Sequence, residues 1–349
     1  MGILAKGHKW LVIFGGIYAA IMVSLMHPYV QQEVLYLRRV RMADKETLSN
    51  PAAFGLSPFK TLNLQLNTSD GEQLGAWHVL PDSLSRADAT ESAITEAFHT
   101  HPTVLFAHGN AATRAMSGRV ATAALMPHKL DANVISFDYR GFGDSTGLPS
   151  ELGMTLDAQS AFDYAISRGA TPEKIILMGQ SLGTGIMSNF ARDLAERGVS
   201  VPPFSSVAKL LETYKVAGLF PLFSPLRALP QLRDYLFTFL RHKYNTAENL
   251  HHIQSPVLIA HSLDDLEIPA EHSIGLFRSQ TVNSTTESQQ LTSLTGHEFG
   301  VFEHADKPAK RGLLLTHKGG HNNVVWSEGL ADTLLMFLSD DEFTYDPHY

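Results

Sequence analysis

A serine with a glycine two residues to either side is the first group in this chain able to do chemistry. Gly179-Gln180-Ser181-Leu182-Gly183 follows the apolar run 175–178 and precedes a segment of helical character. In that setting G-x-S-x-G describes a nucleophile elbow, a strand-to-helix turn so tight that the serine backbone is strained. The flanking positions must lack a Cβ, which would strike the neighbouring strand or helix. On such an elbow Ser181 Oγ projects above the sheet, and the helix N-terminus behind it favours developing negative charge. The plainer alternative is an ordinary helix N-cap serine.

A hydroxyl is hardly ionised near neutral pH, so Ser181 needs a base, and the base needs an orienting acid. Sites built on an elbow take the acid and then the histidine from later in the chain, each at the carboxyl end of a strand. The apolar run 256–260 ends in His261-Ser262-Leu263-Asp264-Asp265, with Pro269 four residues on. Asp265 is chosen as the acid ahead of Asp264. The run 312–315 leads through Thr316-His317-Lys318-Gly319-Gly320 to His321, and glycines before a histidine suit a ring that must reach inward. His321 is the expected base, with His317 second among 17 histidines. The tetrahedral oxygen of acyl transfer needs two backbone N–H donors, each typically worth roughly 10²–10³ in rate. One is expected from Leu182. The other is expected from Asn110, in the loop His108-Gly109-Asn110-Ala111-Ala112 after the run 103–107.

Other chemistries find less support. Gly179, Gly183 and Gly185 do not give the G-x-G-x-x-G of a dinucleotide site. His297-Glu298 lacks a second histidine four residues on, where Val301 stands, so no metal site and no cofactor are expected. The chain has no cysteine, which excludes disulfides, a thiol nucleophile and cysteine-ligated zinc. A net charge of -8 without a basic stripe disfavours nucleic acid as a partner.

Positioning groups from four distant stretches requires a sheet. The alternating stretch 61–66, the turn Asp70-Gly71 and the run 74–80 read as a hairpin. Thereafter apolar runs at 103–107, 133–137, 174–178, 256–260 and 312–315 alternate with helical patterns. One of these is Met154, Ala158, Ala161, Phe162, Ala165 and Ile166. Runs of this kind are strands buried on both faces, so the class is α/β with a doubly wound, mostly parallel sheet and helices on both faces.

The N-terminus is different. Residues 10–26 are uncharged and almost wholly apolar, preceded by Lys6, His8 and Lys9 and ended by His27-Pro28. A helix of that length is about 25 Å long, at the short end of what spans a bilayer. No small-x-small cleavage site follows, so residues 1–30 are read as a retained single-pass anchor and 31–55 as a linker. The sequons at Asn67 and Asn283 lean toward a lumenal catalytic domain.

The segments His108-Gly-Asn-Ala-Ala-Thr-Arg114, Phe137-Asp-Tyr-Arg-Gly-Phe-Gly-Asp-Ser-Thr-Gly147 and Gly179-Gln-Ser-Leu-Gly-Thr-Gly185 resemble the membrane-anchored α/β-hydrolase-domain subfamily. That subfamily includes the lysophosphatidylserine and monoacylglycerol lipase of the endoplasmic reticulum. The resemblance runs from about residue 55 to the C-terminus and implies one α/β-hydrolase domain over 56–349. Ser181, Asp265 and His321 fall on the subfamily's triad positions. It also implies cleavage of acyl esters in lysophospholipids or monoacylglycerols through an acyl-enzyme, beside the bilayer. An acyl-protein thioesterase would use the same triad.

Three stretches depart from a plain domain. Residues 206–250, rich in Leu, Phe and Tyr and broken by prolines, read as a cap-like excursion, and 282–310 as a polar insertion that loops out. Third, the family pattern implies an apolar strand after Gly198, where Val199-Ser-Val-Pro-Pro-Phe204-Ser-Ser206 has two prolines that cannot sit in a central strand. A central strand is therefore expected to be missing near 199–206. Pairing its neighbours across the gap would shift Asp265 relative to Ser181 by about 4.8 Å. On that ground the chain is expected to react weakly or not at all with a fluorophosphonate, which leaves a lipid-binding pseudoenzyme as a third reading.

Overall fold

The computed structural model describes residues 3–40, 43–84, 90–198, 215–216, 220–221, 229–239, 241–280, 292–294, 297–302 and 310–338. The predicted hairpin is β1 (Thr61–Asn67) and β2 (Gln73–Val79), closed through Thr68 N–H to Glu72 O at 2.9 Å with Gly71 at φ 92°. The short branched runs β3 (Thr103–Ala107), β4 (Asn133–Phe137) and β5 (Ile175–Gly179) are buried along their whole length. They pair in parallel around β3, and β2 joins β4 antiparallel, giving the order β1-β2-β4-β3-β5.

From the 206–250 stretch the described secondary structure is the two-residue strands β6 (Lys215–Val216) and β7 (Phe220–Pro221), paired with each other, and two helices introduced below. A second sheet, in the order β8-β11-β10-β9, holds β8 (Val257–Ser262), β9 (Thr292–Leu294), β10 (His297–Phe302) and β11 (Arg311–Thr316). β8 and β11 are parallel, but β10 runs antiparallel on β11 from His297↔Thr316 to Phe302↔Arg311. This corrects one expectation. The stretch 282–310 does not simply loop out, because β9 and β10 extend the sheet and satisfy the outer edge of β11. The sheets are mixed: each is parallel toward the edge that carries β5 or β8 and antiparallel toward its other edge.

The helices are α1 (Ile3–Ser24), α2 (Pro28–Tyr36), α3 (Lys45–Leu48), α4 (Glu91–Thr100), α5 (Ser117–Leu130), α6 (Glu151–Ser167), α7 (Leu182–Glu196), α8 (Pro230–Phe237), α9 (Thr246–His252), α10 (Glu271–Ser279), α11 (Gly320–Asn323) and α12 (Glu328–Leu338). Local chemistry sets their starts: the Thr90 and Ser150 hydroxyls accept from the Ala93 and Gly153 N–H groups. The sheets are covered on both faces. Phe98, Phe162 and Phe190 pack with Leu177, Ile259 and Leu313 on one side, and Met126, Leu330 and Phe337 with Met178, Leu258 and Leu314 on the other.

Each core thus runs from the first sheet to the second, although β5 and β8 do not pair with each other. Asn249 of α9 adds a polar tie to α7, donating from Nδ2 to Ser188 Oγ (3.1 Å) and Asn189 Oδ1 (2.6 Å). Among the described residues no ladder joins the two sheets and side-chain packing on both faces links them, and the neighbours of the gap have not closed on one another. Residues 199–206 themselves lie outside the described residues.

The stretch 31–55 is not the linker expected. Tyr36 and Leu48 are fully buried, and Leu48 O accepts from Trp77 Nε1 at 2.9 Å. Gln31 ties α2 to the chain after α8, donating from Nε2 to Phe239 O (2.8 Å) and accepting at Oε1 from Arg241 N–H (3.3 Å). α1 closes at Ser24, and Pro28 occupies the first turn of α2, where a missing N–H is no loss. Among the described residues no single helix is long and apolar enough to cross a membrane. His8–Ser24 and α2 pass by length and composition only as a pair, bent by 101°. Trp10, Phe14, Ile17 and Val23 of α1 are exposed.

Candidate active site

Ser181 stands between β5 and α7 at φ 50°, ψ -112°, a conformation that costs a side-chain-bearing residue on the order of 1–3 kcal/mol. Close approach enforces it. A Cβ at Gly179 would meet Gly183 O and Thr184 N at 2.6 Å, and one at Gly183 would lie 2.0 Å from Ala107 O. The two motif glycines let β3, β5 and α7 converge beneath the hydroxyl.

His321 begins just past β11, after Gly319 and Gly320 at φ 144° and 55°. Its Nε2 lies 3.0 Å from Ser181 Oγ and its Nδ1 2.8 Å from Asp265 Oδ2. A carboxylate only accepts, so Nδ1 carries a proton to Asp265 and Nε2 is left to accept from the serine hydroxyl. Burial favours the neutral ring of His321, but the hydrogen bond and charge of Asp265 outweigh it and raise its pKa above the ordinary 6.5. Burial alone would raise Asp265. Hydrogen bonds from His261, His321 and the Ile268 N–H instead hold its carboxyl well below the usual range.

The three predicted groups therefore meet, one from the first sheet and two from the second. The displacement of Asp265 foreseen from closing the gap is not present, because β5 and β8 stay apart. Asp264, the rejected acid, faces elsewhere: its Oδ1 accepts from Gly320 N–H at 2.7 Å and steadies the turn before His321.

Leu182 opens α7, and Asn110 lies in the loop after β3, as the sequence suggested for the oxyanion donors. No acceptor among the described residues takes the N–H of either. The loop is strained, with Ala111 at φ 59° and Ala112 at φ 52°. Tyr139 O–H donates to His108 O (2.5 Å), and Asn110 Nδ2 donates to Leu35 O at the end of α2. Gln180 bridges the elbow's neighbours, accepting from Gly109 N–H and donating to Asn322 O, both at 3.3 Å.

Sequence reasoning missed three supports: Gln180, Arg119 and His261. Arg119, on α5, donates to four carbonyls of the loop, and burial pushes it down to about 10, still charged at neutral pH. His261 is buried at the end of β8 with Nε2 3.4 Å from Asp265 Oδ2. The histidine's place four residues before the acid was the available signal for His261; the two others carried none.

The remaining motif residues clamp. Arg114 N–H donates to Asp138 Oδ1, and its Nη1 donates to Asp138 Oδ2 and Asp144 Oδ1, all at 2.6 Å, with the guanidinium 4.8 Å over the Trp77 ring. They join the loop after β3 to the loop after β4. Among the described residues no group of three or more His, Asp or Glu is placed to hold a metal ion.

The family described as the alpha/beta hydrolase fold matches residues 102–218. The chain is 31% identical to the lysophosphatidylserine lipase ABHD12 of Danio rerio over 304 residues, covering 85% of this chain and 76% of that protein. It is 32% identical to the protein of the same name from Xenopus tropicalis, covering 77% and 70% respectively. Among solved structures, an alpha-beta hydrolase from Vibrio vulnificus superposes with a TM-score of 0.59 at 17% identity, over 89% of this chain and 94% of that one.

Proposed function

The chain belongs to the α/β-hydrolase family of these lysophosphatidylserine lipases, and from that membership we propose that it cleaves the acyl ester of a lysophospholipid of the lysophosphatidylserine type, or of a monoacylglycerol. The observation that carries the reading is the single ring, His321, within hydrogen-bond distance of both Ser181 Oγ and Asp265 Oδ2. Nε2 takes the hydroxyl proton as Ser181 Oγ attacks the ester carbonyl, and Asp265 stabilises the imidazolium that forms. The Asn110 and Leu182 N–H groups receive the tetrahedral oxyanion. His321 then protonates the departing glycerol oxygen, and water, deprotonated by the same ring, releases the fatty acid from the acyl-serine.

Fluorophosphonate labelling of the unmodified full chain tests the chemistry. Labelling lost in Ser181→Ala is expected, and an unreactive wild-type chain would return the lipid-binding pseudoenzyme. Rates on lysophosphatidylserine micelles and on acylated peptides test the class. Faster turnover of the peptide sinks the lysolipid reading and supports a thioesterase.

In this reading the apolar segment 1–30, which includes α1, anchors the enzyme in the endoplasmic reticulum membrane, with residues 1–9 cytosolic and the catalytic domain lumenal. Its exposed apolar side chains and the exposed sequon residue Asn67 support that placement. In sealed microsomes the domain should resist protease and lose mass with glycosidase; digestion by protease reverses the orientation.

A further inference from the structure

The loop after β3 gathers its carbonyls on one cation. Arg119 is 5% exposed and donates from Nη1 to Ala111 O (2.9 Å) and Thr113 O (2.8 Å), and from Nη2 to Gly109 O and Asn110 O (both 2.9 Å). A guanidinium offers five donors in a rigid fork, and four of them here serve the peptide units of one loop. A trans peptide is planar, with its C=O and N–H on opposite sides. Turning Gly109 O onto Nη2 therefore turns the Asn110 N–H away from Arg119, to the side where it meets no acceptor among the described residues. The left-handed Ala111 and Ala112 persist only if their surroundings over-determine them, and the fork bonds to Ala111 O and to the residues on both sides of the pair.

We propose that Arg119 is the positioning residue of the oxyanion hole: its fork fixes the plane of the Gly109–Asn110 peptide and thereby aims the Asn110 N–H at the tetrahedral oxygen. The proposal rests on the reading of Ser181 as nucleophile with Asn110 and Leu182 as donors. Arg119 itself never meets the substrate. It acts on a step in which charge develops, so its loss weakens transition-state binding and leaves ground-state binding alone.

In the full chain, Arg119→Ala is expected to lower kcat about 100-fold with KM within about threefold, the size of one lost oxyanion donor. The affinity of a trifluoromethyl ketone, which forms a tetrahedral adduct on Ser181, should fall by the same factor. Lysophospholipid binding to Ser181→Ala should not change when Arg119→Ala is added. Guanidinium ion supplied in solution should return part of the rate. Arg119→Lys, whose one ammonium cannot span four carbonyls, should lose about tenfold. A folded Arg119→Ala with wild-type kcat and ketone affinity overturns the proposal. So does a variant whose KM and melting temperature move while ketone affinity stays, and so does failure of both variants to fold, since each assigns Arg119 to stability alone. No ketone adduct on the unmodified chain strikes the Ser181 reading instead, which keeps the two failures distinct.

Discussion

One methyl group at Gly183 tests whether the elbow works by close approach. The Cβ of Gly183→Ala would stand 2.0 Å from Ala107 O, 2.6 Å from Ala107 C and 2.9 Å from His108 O, all backbone atoms. Real Cβ contacts do not close below 3.0 Å, so α7 and the end of β3 must part by about 1 Å. Neither yields cheaply: Ala107 is paired with Gly179 across β3 and β5, and Gly183 N–H is bonded to Gln180 O at 2.8 Å. α7 carries the Leu182 N–H and β3 leads to Asn110, so the separation falls between two donors that must converge on one oxygen. Catalytic groups have to hold to within about 0.5 Å, and a misplacement of about 1 Å can cost about 10²-fold. Gly183→Ala is therefore expected to slow fluorophosphonate labelling of Ser181 by about 10²-fold or more. Gly275→Ala is the control, because a Cβ there meets nothing within 4 Å on α10 and gains roughly 0.5–1 kcal/mol of helix stability. Rates come from labelling time courses on the full chain in detergent. Labelling of Gly183→Ala within about threefold of wild type would refute the reasoning, because it would mean that a shift of that size does not reach the donors.

Two further tests follow from the triad and the N-terminal segment. The base must be neutral and its pKa is raised, so kcat/KM should fall with decreasing pH through a value above 6.5. Asp265→Asn removes the group that raises it and leaves burial dominant, so the acid limb should move below 6.5 while the maximal rate drops about 10⁴-fold. An acid limb that stays in place would show that Asp265 does not set the ring's pKa. Leu48→Ala, in the supposed linker, should destabilise the fold by about 2–5 kcal/mol in denaturant melts. A loss under about 1 kcal/mol would mean that residues 31–55 are only draped on the surface.

The elbow, the acid and the base were legible because each announces itself locally: glycines around a serine, a carboxylate past an apolar run, glycines before a histidine. Arg119 was not legible, since its partners are backbone carbonyls with no residue-type signature. An arginine on an amphipathic helix reads as solvated until the fold wraps a loop around it. The stretch 31–55 misled for a related reason. Its charged residues mask Tyr36 and Leu48, and buried residues spaced as Gln31, Tyr36, Leu48 and Pro51 leave no periodicity to read. The gap after Gly198 follows from the family pattern, with Pro202 and Pro203 where a strand is implied, but the displacement of Asp265 drawn from it does not occur. That displacement assumes that ladder pairing sets the strand spacing, whereas among the described residues packing on both faces joins the two sheets.

Helix α2 makes the N-terminal segment a lever rather than a leash. Only residues 25–27 separate it from α1, a span of about 10 Å at full extension. α2 is gripped by the body through Gln31, and through the Tyr36 hydroxyl, 2.8 Å from that of Tyr244. Its last turn presents Leu35 O to the Asn110 carboxamide. α2 therefore stands between α1 and the loop of Asn110, held at both ends. The end of the N-terminal segment and the loop that carries Asn110 are thus joined directly, through one carbonyl and one amide.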